Sequence, residues 1–420
     1  MKKKAAFFIA LRYLWGRANE GGRYLRGAAA GIAISLIPII VTLIVADGMI
    51  RGITDRYLEL GTGHLQVFDL YATEKDENTI EEIKSYDGVR GVWPEMRSTG
   101  VLAGKGGKTG VTVRAVEPSF WTDPGSGRFL KVVYGEQKPE TDRDILLGVT
   151  LAVNTGVKIG DTVRLMTLKN INGRQLPVTA PFTVKGIVSC GYSELDALWC
   201  IISYEGGKRV LSPEQSSSSL IIKIDDPYKK ADDFAWTLFE DLDPGYTIYT
   251  WKELLRSQYS SYESTRQLLL FIMALIVIVA AINVSSSTSM LALERNRDIA
   301  ILKVSGADIK GVTGIFLWGS FLTGITGAVV GISLGLLIGV NINTLIRGLE
   351  KGLTFFSGLF HGEEVKILDP GFYLETIPII IDKTAVLLIG FFAILCSVLA
   401  SWIPARRAGK LKPMELLRKT

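Results

Sequence analysis

Four stretches of this chain contain no charged residue: residues 27–46, 268–293, 311–346 and 384–405, which are 20, 26, 36 and 22 residues long. About 20 apolar residues at about 1.5 Å rise cross a hydrocarbon core of about 30 Å, so each run predicts a membrane-spanning helix, and the third is long enough to continue outside. Between the first and second runs the pattern changes. Short β-like runs recur at 64–68, 110–116, 162–167, 182–188, 198–204, 220–224 and 247–250, separated by helix-like stretches at 79–86 and 229–242. The expected architecture is a membrane α-helical protein with four transmembrane helices and a large extracytoplasmic α/β domain between helices 1 and 2. Helical units at both ends of that domain and a β-rich middle at about 144–203 predict two subdomains, one inserted in the other.

Ahead of the first run, Lys2, Lys3 and Lys4 imitate the basic start of a signal peptide. The stretch from Ala5 to Leu11 is interrupted by Arg12 and followed by Arg17, Arg23 and Arg26, and no small-x-small cleavage site precedes the charged segment after the run, so the first span reads as a retained anchor. From Trp251 to Gln267 near-helical spacing continues into the second run without Gly or Pro, which predicts one helix over 251–293 with a stalk at 251–267.

The 420 residues carry 47 Lys and Arg against 42 Asp and Glu, a net +5, with 48% hydrophobic residues and a mean hydropathy of +0.28. Disorder and disulfide scaffolds are excluded, a wholly soluble enzyme is disfavoured, and +5 gives no reason to expect nucleic acid as a partner. Divided by the spans, the charge says more. Residues 1–26, 292–311 and 403–420 together hold 17 Lys and Arg against five acids, +12, so the rest of the chain carries −7. The bias of basic residues toward the cytoplasm places both termini and the 294–310 loop inside, and 48–267 and 342–383 outside. The expected division is a cytoplasmic segment 1–26, helix 1 at 27–47, the periplasmic domain 48–267, helix 2 at 268–293, a cytoplasmic helix 294–310, helix 3 at 311–341, a periplasmic loop 342–383, helix 4 at 384–405 and a cytoplasmic tail 406–420.

Catalytic chemistry is sparse. Leu102-Ala-Gly-Lys-Gly-Gly-Lys-Thr109 ends like a phosphate-binding loop, but Leu102 stands where the first glycine belongs and the segment leads into a β-like run rather than a helix, so it reads as a glycine turn. His64 and His361 are the only histidines, far apart in sequence, and each is expected at a surface or turn, with no metal site. Cys190 and Cys200 flank what reads as a hairpin connection, and a disulfide there requires Cα atoms within about 7 Å. Cys396 reads as a packing residue in the fourth span. No residue set argues for catalysis or a cofactor.

Mechanical features are richer. Gly327, Gly331, Gly335 and Gly339 recur every four residues in the third span, a smooth stripe that lets another helix approach closely. Pro38 interrupts the first span's hydrogen bonding. Asn283 and Ser285, Ser286, Ser287 and Ser289 are expected to face protein rather than lipid. In the loop after the second span, Ile299 and Leu302, with Ala300 and Val304, form one apolar face of a short helix surrounded by Glu294, Arg295, Arg297, Asp298 and Lys303 and stopped by Gly306. Three acids among four bases suit a protein partner better than anionic lipid.

Glu294 to Ala307 resembles the E-x-x-x-[DE]-I-[AG]-I-L-[RK]-x-x-G-A segment that follows the second span in ABC-system permeases of the MacB/FtsX superfamily. Pro404-Ala-Arg-Arg-Ala-Gly-Lys-Leu-Lys-Pro-Met-Glu-Leu-Leu-Arg418 resembles their C-terminal signature. Within the superfamily the chain is similar to the lipoprotein-releasing permeases of the Lol type, through Phe8 to Leu14, Gly63-His-Leu-Gln-Val67, Ser193-Glu-Leu-Asp196 and Phe372 to Pro378. The resemblance implies an inner-membrane subunit without its own ATPase site, paired with a second permease, identical or homologous, and with a cytoplasmic ABC ATPase dimer that holds ATP and magnesium. It implies that Glu294 to Gly306 is the coupling helix on that ATPase, and that ATP-driven closure expels a lipoprotein substrate from membrane lipid to a periplasmic carrier. It places the carrier-docking hairpin at Lys169 to Pro181, with Asn170, Asn172, Arg174 and Pro177, short against the family pattern. Two other functions share this architecture: tripartite export of a peptide, toxin or drug, and regulation of a cell-wall hydrolase, for which about 220 external residues is large.

Overall fold

The structure, a computed structural model, describes residues 3–15, 21–69, 77–171, 174–212, 216–242, 244–358, 374 and 376–411. It divides into two compact units, a helical one of residues 1–48, 263–363 and 378–420, and a β-rich one of residues 49–262 and 364–377.

The chain begins with α1 (Lys3–Trp15) and α2 (Gly21–Arg56), then a π-helical turn at Tyr57–Thr62, β1 (Leu65–Asp69), α3 (Glu77–Lys84), β2 (Val89–Ala103) and β3 (Lys108–Val116). It continues through α4 (Pro124–Phe129), β4 (Lys131–Gly135), β5 (Asp144–Gly148), α5 (Val149–Thr155), β6 (Thr162–Ile171), β7 (Arg174–Ser189), α6 (Ser193–Leu198), β8 (Trp199–Ser203) and α7 (Tyr204–Val210). Then come β9 (Ser217–Ile224), α8 (Pro227–Asp241), β10 (Tyr246–Thr250), α9 (Trp251–Leu254) and α10 (Arg256–Glu294). The last elements are α11 (Asn296–Val304), α12 (Ile309–Val340), α13 (Ile342–Gly358) and α14 (Lys383–Lys410).

Four of these helices, α2, α10, α12 and α14, are long and apolar enough to cross a membrane; three contain an uncharged run whole, and the run at 311–346 continues past α12 into α13. The glycine stripe of α12 packs on α2. A Cβ added at Gly327 would lie 2.8 Å from the Ala29 carbonyl oxygen, at Gly331 2.9 Å from the Ala33 Cα, at Gly335 2.8 Å from the Ile40 Cβ and at Gly339 2.4 Å from the Ile44 Cδ1. At Gly327, Gly331 and Gly335 these approaches leave no room for a side chain, at Gly339 only the end of the Ile44 side chain stands in the way, and the two helices exchange dispersion contacts along the stripe. A buried polar contact joins α10, α12 and α14: the Thr288 hydroxyl lies 3.2 Å from that of Ser320 and 3.3 Å from that of Ser401. At one end of the unit Arg266 bridges Asp47 (2.8 Å) and Asp382 (3.1 Å), tying α10 to α2 and to the N-cap of α14. α2 remains helical through Pro38.

Two expectations for the second span change. Leu255 (φ −102°, ψ 21°) separates α9 from α10, so 251–293 is not one uninterrupted helix. Asn283, Ser286 and Ser289 lie on the exposed side of α10 and Ser285 and Ser287 are half-buried, because the line facing the bundle is Val277, Ala281, Val284, Thr288 and Leu291. Also unforeseen is α1, whose Phe7 meets Trp318 of α12 edge-on at 5.2 Å.

In the β-rich unit the strands run β10-β1-β9-β2-β3-β8-β5-β7-β4, and β6 pairs with both β2 and β7. The ladder β2-β3-β8-β5-β7-β6 therefore closes on itself. Its interior is filled by Leu102, Val113, Ile145, Leu147, Val163, Leu165, Phe182, Val184 and Ile202, all buried. A second core lies around β1 and β9, where Val67, Leu220 and Ile222 pack with Ile83, Leu238 and Trp251. β2, β4 and β5 fall outside the runs read from the sequence. β2 carries Gly91, Pro94 and Gly100, which weaken its strand signal, yet it is the 15-residue strand linking the ring to the rest of the sheet.

The glycine turn at 104–107 joins β2 to β3, with Leu102 opposite Thr109 and Ala103 opposite Lys108. Gly191 to Trp199 is not a hairpin connection. β5 inserts between β7 and β8, and α6 makes the crossover, so two strand spacings of about 4.8 Å each separate β7 from β8. Cys190 and Cys200 are accordingly free and buried; burial raises both thiols, that of Cys200 to about 12, which keeps them protonated and inert.

Replacing Gly331 by Val inserts atoms where the Ala33 backbone already stands. This variant is expected to lose about 1–3 kcal/mol of helix packing, read as a lower thermal midpoint of the detergent-purified protein. Gly348→Val, at a position with open space around it, is expected to leave that midpoint in place.

Candidate functional site

The loop between α10 and α12 is built on α11. Ile299 is buried against Leu25, Leu291, Val312, Phe316 and Ala405, Ala300 is buried as well, and Leu302 is half-buried. The apolar face expected to meet a partner is thus largely used to seat α11 on its own chain. Lys303 donates to the Leu411 carbonyl, Arg295 pairs with Asp298 at 3.2 Å, and Gly306 (φ 90°) ends the segment. The surface α11 presents instead carries Arg297, Ile301 and Val304, the last two 56% and 72% exposed, continued by Leu293 and Glu294 at the end of α10. These positions follow the helical repeat on the side opposite Ile299, and they form an apolar and charged patch suited to a protein surface.

β6 and β7 form a hairpin paired from Thr162 opposite Thr183 to Ile171 opposite Arg174. Asn170 faces Gln175, and Pro177 faces Leu168. Arg174 and Pro177 are exposed, as are Leu168 and Leu176, so the tip combines a cation with apolar side chains; Asn172 lies outside the described residues.

A third cluster lies where the π-helical turn meets the sheet. Lys223 of β9 has no exposed surface, and its ammonium donates to Asp123 (2.9 Å) and Ser126 (2.7 Å), lies 3.1 Å from Glu59 and sits 4.5 Å from the Phe120 ring centre. His64, also fully buried rather than at a surface, has Nδ1 against the Ile224 backbone, 2.8 Å from its nitrogen and 2.9 Å from its carbonyl oxygen, and Nε2 3.3 Å from Glu59. Gly63 (φ 70°) makes this turn possible, since a Cβ there would meet Ile221 at 2.3 Å. Beside it Arg114 of β3 donates to Glu95 (2.6 Å), to the Leu60 carbonyl and to the Gly61 carbonyl (3.0 Å), and Arg97 donates to Gly61 (2.8 Å) and Glu95 (2.9 Å). The two arginines thus satisfy carbonyls that the end of the π-helical turn leaves without helical partners.

Burial pushes the Glu95 carboxyl up, but Arg114 and Arg97 outweigh it and hold the group below its ordinary value. Burial lowers the Arg114 guanidinium to about 10, so it remains charged at neutral pH. The sequence carried one signal of this cluster: Arg114 and Lys223 each interrupt an apolar β run. Among the described residues no group of His, Cys, Asp and Glu side chains is arranged to hold a metal. The cluster is a clamp, joining the segment after α2 to three strands.

Residues 27–232 match the MacB-like periplasmic core domain and residues 270–413 the FtsX-like permease C-terminal domain. The chain is an FtsX-like permease with a MacB-like periplasmic core domain. The permease is 27% identical over 98% of its length to a protein of Neisseria meningitidis serogroup B named lipoprotein-releasing system transmembrane protein LolC, of which 98% is covered. It is 25% identical to a Haemophilus influenzae protein named lipoprotein-releasing system transmembrane protein LolE, again over 98% of both chains. Among solved structures, the periplasmic region of MacB from Actinobacillus actinomycetemcomitans corresponds to 48% of the permease and 95% of that chain, at 16% identity and a TM-score of 0.31.

Arg114→Met leaves the Glu95 carboxylate without its closest partner and is expected to cost about 3–5 kcal/mol, seen as a lower thermal midpoint of the permease in detergent. Arg114→Met combined with Glu95→Leu removes both charges and is expected to recover much of that loss. Because the Glu95 carboxyl is depressed, its contribution is present above the ordinary carboxylate range and lost on acidification. The stability of the parent is therefore expected to fall below about pH 4, and that of Glu95→Leu to fall less.

Proposed function

We propose that this permease is the membrane subunit of an ABC system that releases lipoproteins from the inner membrane toward the outer membrane. The observation that carries the reading is similarity along the whole chain, spans and β-rich domain together, to proteins named as lipoprotein-releasing system transmembrane proteins. In this reading both termini and α11 are cytoplasmic, following the +12 charge of those segments, and the β-rich unit is periplasmic, its six-stranded ring and its β1–β9 layer forming two subdomains. A second permease, identical or homologous, completes the pair, and a separate ATPase dimer holds ATP and magnesium.

The ATPase docks on the outward face of α11, at Arg297, Ile301 and Val304, while Ile299 and Leu302 hold that helix to the bundle. Gly327, Gly331, Gly335 and Gly339 keep α12 and α2 moving as one body. Two of the boundaries between the units, at 48/49 and 262/263, fall within α2 and within α10, so at these two places the chain passes from one to the other as helix. ATP-driven movement of the helical unit reaches the periplasmic unit through these helices, and the cargo is passed to a soluble carrier at the β6–β7 hairpin, through Asn170, Asn172, Arg174 and Pro177.

Changing both Ile301 and Val304 to Asp is expected to abolish co-purification of the ATPase with membrane insertion intact. Full ATPase recovery would remove the docking assignment. Ile299→Asp, in contrast, is expected to lower the amount of folded permease, since its side chain is buried in the permease itself. For cargo, mass spectrometry of inner membranes after depletion of the permease should show lipoproteins accumulating; an unchanged lipoprotein content would overturn the proposed function.

A further inference from the structure

The segment that leaves the outer end of α12 has an amphipathic design that the proposed transport role does not use. α12 is 32 residues, about 48 Å long, against about 40–45 Å for a bilayer with its headgroups. A helix that begins near the inner surface at Ile309 therefore ends near the outer one. There Asn341 leaves helical geometry (φ −98°, ψ 13°), its side-chain amide donating to the Leu337 carbonyl at 2.9 Å, and α13 begins at the next residue. α13 places Ile342, Leu345, Ile346, Leu349 and Leu353 at i, i+3, i+4, i+7 and i+11, a single narrow stripe, with Glu350 at its border and Arg347, Lys351 and the exposed Phe355 on the other side. Among the described residues the stripe is covered only in part: Leu345 is 44% exposed, Leu349 60% and Leu353 44%, while Ile342 and Ile346 are half-buried.

Resting on the reading of α12 as a transmembrane helix, we infer that α13 is an interfacial helix that lies on the outer leaflet, with this leucine and isoleucine stripe in the acyl boundary and Arg347 and Lys351 among the headgroups. Continuity with the span decides for lipid over a protein partner. One residue separates α13 from a helix that has just crossed the hydrocarbon, so the bilayer surface is the apolar phase already at hand. The stripe is purely aliphatic at its described positions, while the opposite face carries two cations that suit phosphate headgroups. Burial to about 5–10 Å is the depth such helices reach. An interfacial helix at this place fixes the outer end of α12 in height, in the leaflet from which a lipid-anchored substrate would be withdrawn.

The test uses the full chain in vesicles of phosphatidylethanolamine and phosphatidylglycerol, with Cys396→Ala and single spin-labelled variants Leu349→Cys, Leu353→Cys, Arg347→Cys and Lys351→Cys, and Ile282→Cys in α10 as a reference. The ratio of collision rates with oxygen and with a water-soluble nickel chelate is expected to be several-fold higher at 349 and 353 than at 347 and 351, alternating with the helical repeat. Labels at 349 and 353 as accessible to nickel as that at 351 would overturn the inference. So would labels shielded from both probes, the result a second copy or another protein on this face would give. A reference label at 282 within hydrocarbon while 349 is outside it removes only the interfacial helix. Both labels in water would remove the membrane reading on which it rests.

Discussion

Hydrocarbon offers a backbone amide no partner, so every peptide group that crosses it must be satisfied inside its own helix. That constraint fixes four long helices here, and it also removes the usual driving force for packing them, because lipid is as apolar as leucine. What remains is contact at short range. The α12 glycines bring backbone against backbone on α2, the Thr288, Ser320 and Ser401 hydroxyls meet inside the bundle, and Arg266 joins two carboxylates at its end. Each of these contacts depends on small or polar groups in places where a soluble core would hold large apolar ones.

The β-rich unit meets the opposite problem. Water is available, the hydrophobic effect supplies the packing, and the difficulty is to end a long helix inside a folded domain without stranding its carbonyls. Arg114 and Arg97 reach the carbonyls of Leu60 and Gly61, and Lys223 gathers Asp123, Ser126 and Glu59 around one ammonium. Removing one member of such a set leaves a buried charge unmatched. The set also fixes the segment after α2 to the strands that carry Glu95, Arg97, Arg114 and Lys223.

On α11, local spacing states which side chains share a face, and packing decides which of them are covered. Its residues, its length and its stop at Gly306 follow from local spacing. Ile299 is buried in the bundle and Leu302 is half-buried, and the side left exposed is the mixed one with Arg297, Ile301 and Val304. The same exchange occurs on α10, where Thr288 is enclosed and Asn283, Ser286 and Ser289 are turned out.

The sequence by itself determined the four spans, the charge asymmetry across them, the glycine stripe, seven of the strands and the family resemblance, because all of these are carried by period, composition or contiguous motifs. Tertiary structure alone decided which face of α10 and α11 is covered, that β5 separates Cys190 from Cys200, that Gly91, Pro94 and Gly100 lie in the strand that joins the ring to the sheet, and that His64, Arg114 and Lys223 are buried together. A helical or strand repeat states which side chains share a face. Which face is buried is set by segments up to a hundred residues or more away, as Lys223 and Asp123 show.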